Sequence, residues 1–347
     1  MSSNRSDSAS IPSGQQDAAR TYERVAVIIP CYNEAISIAK VVTDFRRELP
    51  GAQIWVYDNN STDDTAHLAR EAGAHVRREE RRGKGNVVRS MMRDIDADCY
   101  IMVDGDDTYP AEAAPEMVRL VLDDGYDMVN GDRLSTTYFD ENKSVLHGLG
   151  NRLVRGMINL LFRSNVRDIM TGYRAMGFGF TKTLPVLSRG FELETEMTIH
   201  ALDKNMKLIE VPIAYRDRPE GSESKINSVV DGAKVIGMIF NLVREYRPLL
   251  FFGLVGLILM VLGCAFFGSV VAEFFATHLV PRVPTLVVSM LLFVLGLLLI
   301  STGLILDGTA HKARKTFEID LNELMWRRRL ENAQGNPASS DEGAIRA

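Results

Sequence analysis

Two aspartates one residue apart, Asp104 and Asp106, close an apolar run in the segment V-D-G-D-D-T-Y-P (103–110). The glycine between them lets the backbone turn, so both carboxylates can serve one point. Hard divalent cations such as Mg2+ and Mn2+ take oxygen ligands, and Mg2+ keeps waters while sharing substrate phosphates. Two carboxylates therefore suffice when a diphosphate completes the shell. An isolated acidic turn is ordinary surface, so its meaning depends on the other polar clusters. These are I-P-C-Y-N-E (29–34), D-N-N-S-T-D (58–63), R-G-K-G (82–85), T-G-Y-R (171–174), F-E-L-E-T-E (191–196) and R-P-E-G-S-E-S-K (218–225). Arg133, Arg152 and Arg155 add guanidinium forks, which pair bidentately with phosphate oxygens.

The elements that must position these groups can be read from periodicity. V-A-V-I-I-P (25–30) is a continuous apolar run, as expected of a strand buried on both faces. A helix over about 35–48 follows, with Ile36, Ala39, Val42 and Phe45 as its apolar face. Strands at 54–57, 75–77 and 99–103 alternate with helices around 65–72 and 86–95. This order predicts an α/β fold with a mostly parallel sheet and helices on both faces. Ligands of such sheets sit beyond the carboxyl ends of the strands.

Composition bounds the rest. At 347 residues, 46% hydrophobic and 24% charged, the chain is neither disordered nor collagen-like, and its net charge of −5 argues against a nucleic-acid binder. Three scattered cysteines without a C-x-x-C spacing give neither a disulfide framework nor a zinc site. Residues 249–271 and 285–306 carry no charge, and each is long enough as a helix to span a hydrocarbon core of about 30 Å. Basic residues flank them on the outside (Lys234, Arg244, Arg247; Lys312, Arg314, Lys315), so the positive-inside rule predicts a hairpin with both flanks cytoplasmic. Residues 226–247 are expected to form an amphipathic helix at the interface. The chain then divides into a disordered tail (1–22), a catalytic domain (23–225), the interfacial helix, the two spans (within 248–307) and a polar cytoplasmic tail (308–347). Gly253, Gly256 and Gly263 permit close helix packing, in the hairpin or a homo-oligomer.

Taken in order on this scaffold, the quoted motifs resemble glycosyltransferase family 2, whose nucleotide-sugar-binding fold is GT-A, and within it the polyprenyl-phosphate glycosyltransferases. The likeness runs over about residues 23–247. It implies that Pro30, Tyr32, Glu34, Asp58 and Lys84 hold the nucleotide, with Glu196 and Lys225 completing the donor site. Asp104 and Asp106 match the family's metal-binding D-x-D, for Mg2+ or Mn2+. Relatives commonly have an aspartate where this chain has Asn59, and a glutamine near the metal where it has Thr108, for which water substitutes. Arg133, Arg152 and Arg155 match the region holding the acceptor phosphate. Arg218 and Lys225 match a loop that closes over the diphosphate, and Asp106, Arg133 and Arg218 are the expected catalytic groups.

The implied reaction is an inverting, metal-dependent transfer of a hexose from UDP-glucose or UDP-N-acetylglucosamine to an undecaprenyl or dolichyl phosphate at the cytoplasmic membrane face. GDP-mannose is the rival donor. A phosphate acceptor is largely dianionic at pH 7, so no strong general base is required. A processive polysaccharide synthase would need a Q-x-x-R-W motif and more spans. An inactive membrane scaffold would tolerate loss of the D-x-D, which this chain keeps.

Overall fold

The computed structural model describes residues 22–134, 145–188, 192–216, 240 and 242–335. The first apolar run forms β1 (Val25–Cys31), an interior strand of a seven-stranded sheet. Its side chains alternate: Val25, Val27, Ile29 and Cys31 enter the core on one face, while Ala26 and Ile28 enter the core on the other. Burial on both faces explains why the run shows no polar alternation.

Along the chain follow α1 (Ile38–Glu48), β2 (Gln53–Asp58), α2 (Thr65–Glu71), β3 (His75–Arg78), α3 (Lys84–Asp94), β4 (Cys99–Met102), a 3-10 turn and α4 (Ala114–Leu122). Then come β5 (Met128–Asp132), α5 (Val145–Phe162), β6 (Arg174–Gly177), α6 (Phe178–Thr183), α7 (Leu193–Asp203) and β7 (Leu208–Pro212). The sheet order is β3-β2-β1-β4-β6-β5-β7. Strands β1 to β4 pair in parallel, β6 runs antiparallel between β4 and β5, and β7 is parallel to β5. Helices α1 and α4 cover one face; α3, α6 and α7 cover the other.

Helix α1 starts later than its periodicity predicts. Its buried stripe is Ile38, Val41, Val42 and Phe45, whereas Ile36 lies in the preceding turn and is 62% exposed.

The two uncharged runs lie in α8 (Pro248–Thr277) and α9 (Val283–Gly335), both long and apolar enough to cross a bilayer. They meet at glycines. A β-carbon on Gly256 would lie 2.6 Å from the Gly296 carbonyl, and one on Gly263 would lie 3.0 Å from that of Ser289. Gly253 plays no part in this contact; the nearest side chain to it is Leu249 of its own helix.

The chain from 308 to 335, polar in composition, is not a loose tail: it continues α9 without interruption and docks on the catalytic domain. Arg314 donates to Asp203 at 2.7 Å, and Phe317 meets the His200 ring edge to face at 5.5 Å. Further along, Leu321 and Met325 cover Gly179, and Arg328 lies over the Phe178 ring while donating to Asp96 and Asp98. At the other end of the hairpin, Arg247 donates to the Leu161 carbonyl at 2.7 Å, and Leu242 joins Val154, Ile158 and Ile199 in a third apolar cluster. Residues 242–246 are helical; the remainder of the expected interfacial helix, like the N-terminal tail, lies outside the described residues.

Candidate active site

Three loops leave the carboxyl ends of β1, β2 and β4, and side-chain bonds tie them together. Asn33 N donates to Ser61 Oγ at 2.9 Å, and Thr62 N donates to Asn33 Oδ1 at 2.8 Å. Glu34 N donates to Thr65 Oγ1, and the Ser37 hydroxyl donates to the Gly105 carbonyl at 2.6 Å. Asn33, Asn60 and Asp107 hold φ of 54°, 65° and 57° in these loops. Asn and Asp tolerate that left-handed region better than other residues with a β-carbon. Pro30 is the penultimate residue of β1, Tyr32 is 38% exposed at the rim, and the buried Asp58 accepts a bond from Ser61 N.

Asn59 has a structural task that accounts for its identity. Its amide nitrogen donates to the carbonyls of Glu79 and Arg81, and its oxygen accepts from Gly83 N at 2.7 Å. An aspartate has no donor for those carbonyls. Gly83, at φ 118°, then turns the chain into α3, and Lys84 is its first residue.

Lys84 stands at the centre of the site. Its Nζ donates to Asp104 Oδ1 at 2.5 Å and to Glu194 Oε1 at 2.6 Å. Burial opposes its charge, but the two carboxylates outweigh burial and hold the amine well above its ordinary value. The second oxygen of Glu194, Oε2, is buried and has no hydrogen-bond partner among the described residues. The glutamate beside the D-x-D is therefore Glu194 of α7. Glu196, two residues on, turns away and accepts from the backbone of Leu187 and Ser188 and from the Ser188 hydroxyl, bracing the loop before α7. Residues i and i+2 on a helix point in different directions, so only one of the pair can face the site.

Asp106 is 4% exposed and accepts from the Thr108 hydroxyl at 2.6 Å, so Thr108 orients a carboxylate. Gly172 is required beside Asp104: a β-carbon there would lie 2.3 Å from Asp104 Oδ2. As a metal site, Asp104 and Asp106 are suited to a cation that shares its shell with a diphosphate. No cluster of three or more His, Cys, Asp or Glu groups able to hold a metal occurs among the described residues.

A second group of residues lies next to this one. Tyr109 accepts from Gly172 N at 2.9 Å and packs against Tyr215, over which the Arg133 guanidinium sits at 5.5 Å. Burial pushes the Tyr109 phenol far up, and among nearby charges it feels both Arg133 and Asp104. Arg133 is held in a fork by the fully buried Asp168, Nε at 2.7 Å and Nη2 at 3.0 Å. Glu210 in turn accepts from the backbone N–H groups of Arg167 and Asp168, and burial pushes its carboxyl up. Neither Asp168, Glu210 nor Tyr215 stands out by periodicity; an acid six residues before the T-G-Y-R arginine was the available signal. Arg152 is exposed on α5, and Arg155 makes a long bond to the Arg167 carbonyl at 3.4 Å. Arg218 and Lys225 lie outside the described residues.

A sheet of this order, with acidic and polar loops gathered at the ends of β1, β2 and β4, has the GT-A architecture of nucleotide-sugar-dependent transferases. Residues 26–184 match the family described as Glycosyl transferase family 2, and the chain belongs to that family. It is 36% identical over 237 residues to the glycosyltransferase AglJ of Haloferax volcanii, spanning 68% of this chain and 77% of the relative. It is 31% identical over 227 residues to a dolichyl-phosphate hexose transferase of the same organism, spanning 65% of this chain and 97% of the relative. In fold, it resembles glucosyl-3-phosphoglycerate synthase of Mycobacterium tuberculosis, solved with Mn2+, UDP and phosphoglyceric acid. The TM-score is 0.51 at 22% identity, over 66% of this chain and 79% of that one. The chain is thus a glycosyltransferase.

Proposed function

We propose that this enzyme transfers a hexose, with inversion, from a nucleotide sugar to a polyprenyl phosphate at the cytoplasmic face of a membrane. The observation that carries the proposal is the adjacency of two charged centres. The Lys84–Asp104–Glu194 group and the Arg133–Asp168 fork both lie close to Tyr109, which feels the charges of Asp104 and Arg133. The first suits a sugar diphosphate with a divalent cation; the second suits a phosphate monoester. The dolichyl-phosphate hexose transferase among its relatives supports the lipid acceptor.

Each group has a task in this chemistry. Asp104 and Asp106 would hold Mg2+ or Mn2+, which neutralises charge on the departing nucleoside diphosphate. Pro30, Tyr32, Glu34 and Asp58 border the nucleotide, and the unpartnered oxygen of Glu194 accepts from a sugar hydroxyl. Arg218 and Lys225 serve the closing loop. Arg133, held over Tyr215 by its fork to Asp168, aligns the attacking phosphate, with Arg152 and Arg155 nearby on α5. A dianionic phosphate needs no base, so catalysis consists of positioning and charge stabilisation.

Membrane placement is supported by contacts at both outer ends of the hairpin. Arg247 before α8 and Arg314 late in α9 both bond to the catalytic domain, so both ends emerge on its side. The basic flanks support a cytoplasmic assignment for that side. UDP-glucose or UDP-N-acetylglucosamine is the favoured donor. Membranes containing the enzyme, given radiolabelled UDP-glucose, UDP-N-acetylglucosamine or GDP-mannose, should place label in chloroform-extractable lipid from a UDP-sugar, and Asp106→Ala should abolish it. Label from GDP-mannose alone would reassign the donor. No lipid label from any donor, or full activity in Asp106→Ala, would refute the proposal and leave an inactive scaffold.

A further inference from the structure

Arg174 heads the largest side chains with no solvent exposure among the described residues, and the mechanism above does not use it. It begins β6, an interior strand of the sheet, where a charged side chain is costly unless its donors are satisfied. They are satisfied by neutral groups. Nε donates to the Thr171 carbonyl at 3.1 Å, and Nη1 donates to Thr198 Oγ1 at 3.0 Å. Nη2 donates to the carbonyls of Ile169 at 2.7 Å and Glu194 at 2.8 Å. Burial lowers its pKa to about 10, so it remains a cation at neutral pH.

The partners of this guanidinium belong to two segments. Residues 169–171 lie between Asp168, which forks Arg133, and Gly172, whose close approach fits Asp104. Glu194 and Thr198 belong to α7, and Glu194 is the carboxylate bonded to Lys84. A single group thus bonds the segment that sets the Arg133 fork and the helix that sets the donor-side carboxylate.

We infer that Arg174 is a positioning residue that fixes the spacing between the donor and acceptor centres through its carbonyl cage. The inference deepens the proposed function and rests on it. Arg174 touches neither substrate, so its loss should leave each substrate bound while misaligning the two. Lysine keeps the charge but, with three donors on a single nitrogen, cannot make the four cage bonds that Arg174 makes from three nitrogens.

The test uses the full-length enzyme in detergent or vesicles, with a UDP-sugar and a polyprenyl phosphate. Arg174→Lys should lower kcat by about 30-fold or more, the scale of loss for a displacement of under about 1 Å, with both KM values within about threefold of wild type. An unchanged kcat in folded Arg174→Lys overturns the inference, as does a loss confined to the KM of one substrate. Should Arg174→Lys not fold, Thr198→Val removes one cage partner at nearly constant volume. It should lower kcat by about 3- to 10-fold with KM unchanged, and an unaltered kcat there also overturns the inference. Wild-type enzyme that labels no lipid from any donor would refute the proposed function instead, and the inference with it.

Discussion

Arg314 Nη2 donates to Asp203 Oδ1 at 2.7 Å across 111 residues of sequence, fastening the helix that leaves the apolar hairpin to the end of α7. The same helix grips the domain again at Arg328, and its two contacts flank an aromatic patch built from Phe317, His200 and Phe180.

Arg328→Ala should loosen this dock. The side chain is 11% exposed, bonds to Asp98 at 3.1 Å and covers Phe178 at 4.5 Å, whereas its other partner Asp96 is largely solvated. Discounting Asp96, a loss of about 1–2 kcal/mol is expected from the cation–π contact and the half-buried pair. Differential scanning fluorimetry of the purified protein checks it; an unchanged Tm would mean that the dock contributes nothing there.

Acid should weaken the same interface through His200. Burial, followed by Lys204, depresses its pKa to about 4 from an ordinary value near 6.5. Between those values the unfolded chain binds a proton that the native chain does not, so stability falls as pH drops through that window. At pH 5 the loss is about 2 kcal/mol relative to pH 7.5. His200→Phe should lose less Tm than wild type between pH 7.5 and pH 5, and equal losses would exclude His200 as the source.

Gly172→Ala should strongly slow transfer while the protein stays folded. The added methyl would lie 2.3 Å from Asp104 Oδ2 and displace that carboxylate. A loss of about 100-fold in kcat/KM is expected for a shift on that scale. Far-ultraviolet circular dichroism beside the lipid-labelling assay separates this outcome from misfolding.

Glu194→Gln and Glu196→Gln should part company. The first removes the anion beside Lys84 and should lower activity by about 10-fold or more, a loss of at least about 1.4 kcal/mol of transition-state stabilisation. The second weakens a bracket on Leu187 and Ser188 and should cost about 1–2 kcal/mol of stability with near-normal turnover. The reverse pattern would return the donor-side role to Glu196.

Lys84→Met leaves Asp104 and Glu194 without their shared cation. Breaking a buried pair from one side costs about 3–5 kcal/mol, so Tm should fall by about 6–12 °C or more. UDP binding by calorimetry should weaken in parallel. Wild-type UDP affinity would mean that Lys84 serves only the fold.

The strand–helix order from 25 to 103 was legible because β1 and β4 are buried on both faces and therefore read as unbroken apolar runs. The loops were legible because three strand ends stop in Asn and Asp. The antiparallel entry of β6 was not, since A-M-G carries no sign of its partner. Choosing Glu194 over Glu196 required the rotation of α7, which its nearly all-round burial hides from periodicity. The docked end of α9 was available in principle: Arg314, Phe317, Leu321, Met325 and Arg328 recur every three or four residues. The stripe begins and ends in arginine and charged residues surround it, so composition alone gives a polar tail.

The uninterrupted course of α9 has a geometric consequence. At about 1.5 Å and 100° per residue, the helix fixes both the height and the azimuth of the catalytic domain above the hairpin. One residue inserted between 307 and 313 would swing the docking stripe a quarter-turn or so away from Asp203. An insertion of seven, close to two turns, would restore the azimuth yet lift the stripe by about 10 Å. The enzyme thus carries a built-in gauge of the stand-off distance between its catalytic domain and its apolar hairpin.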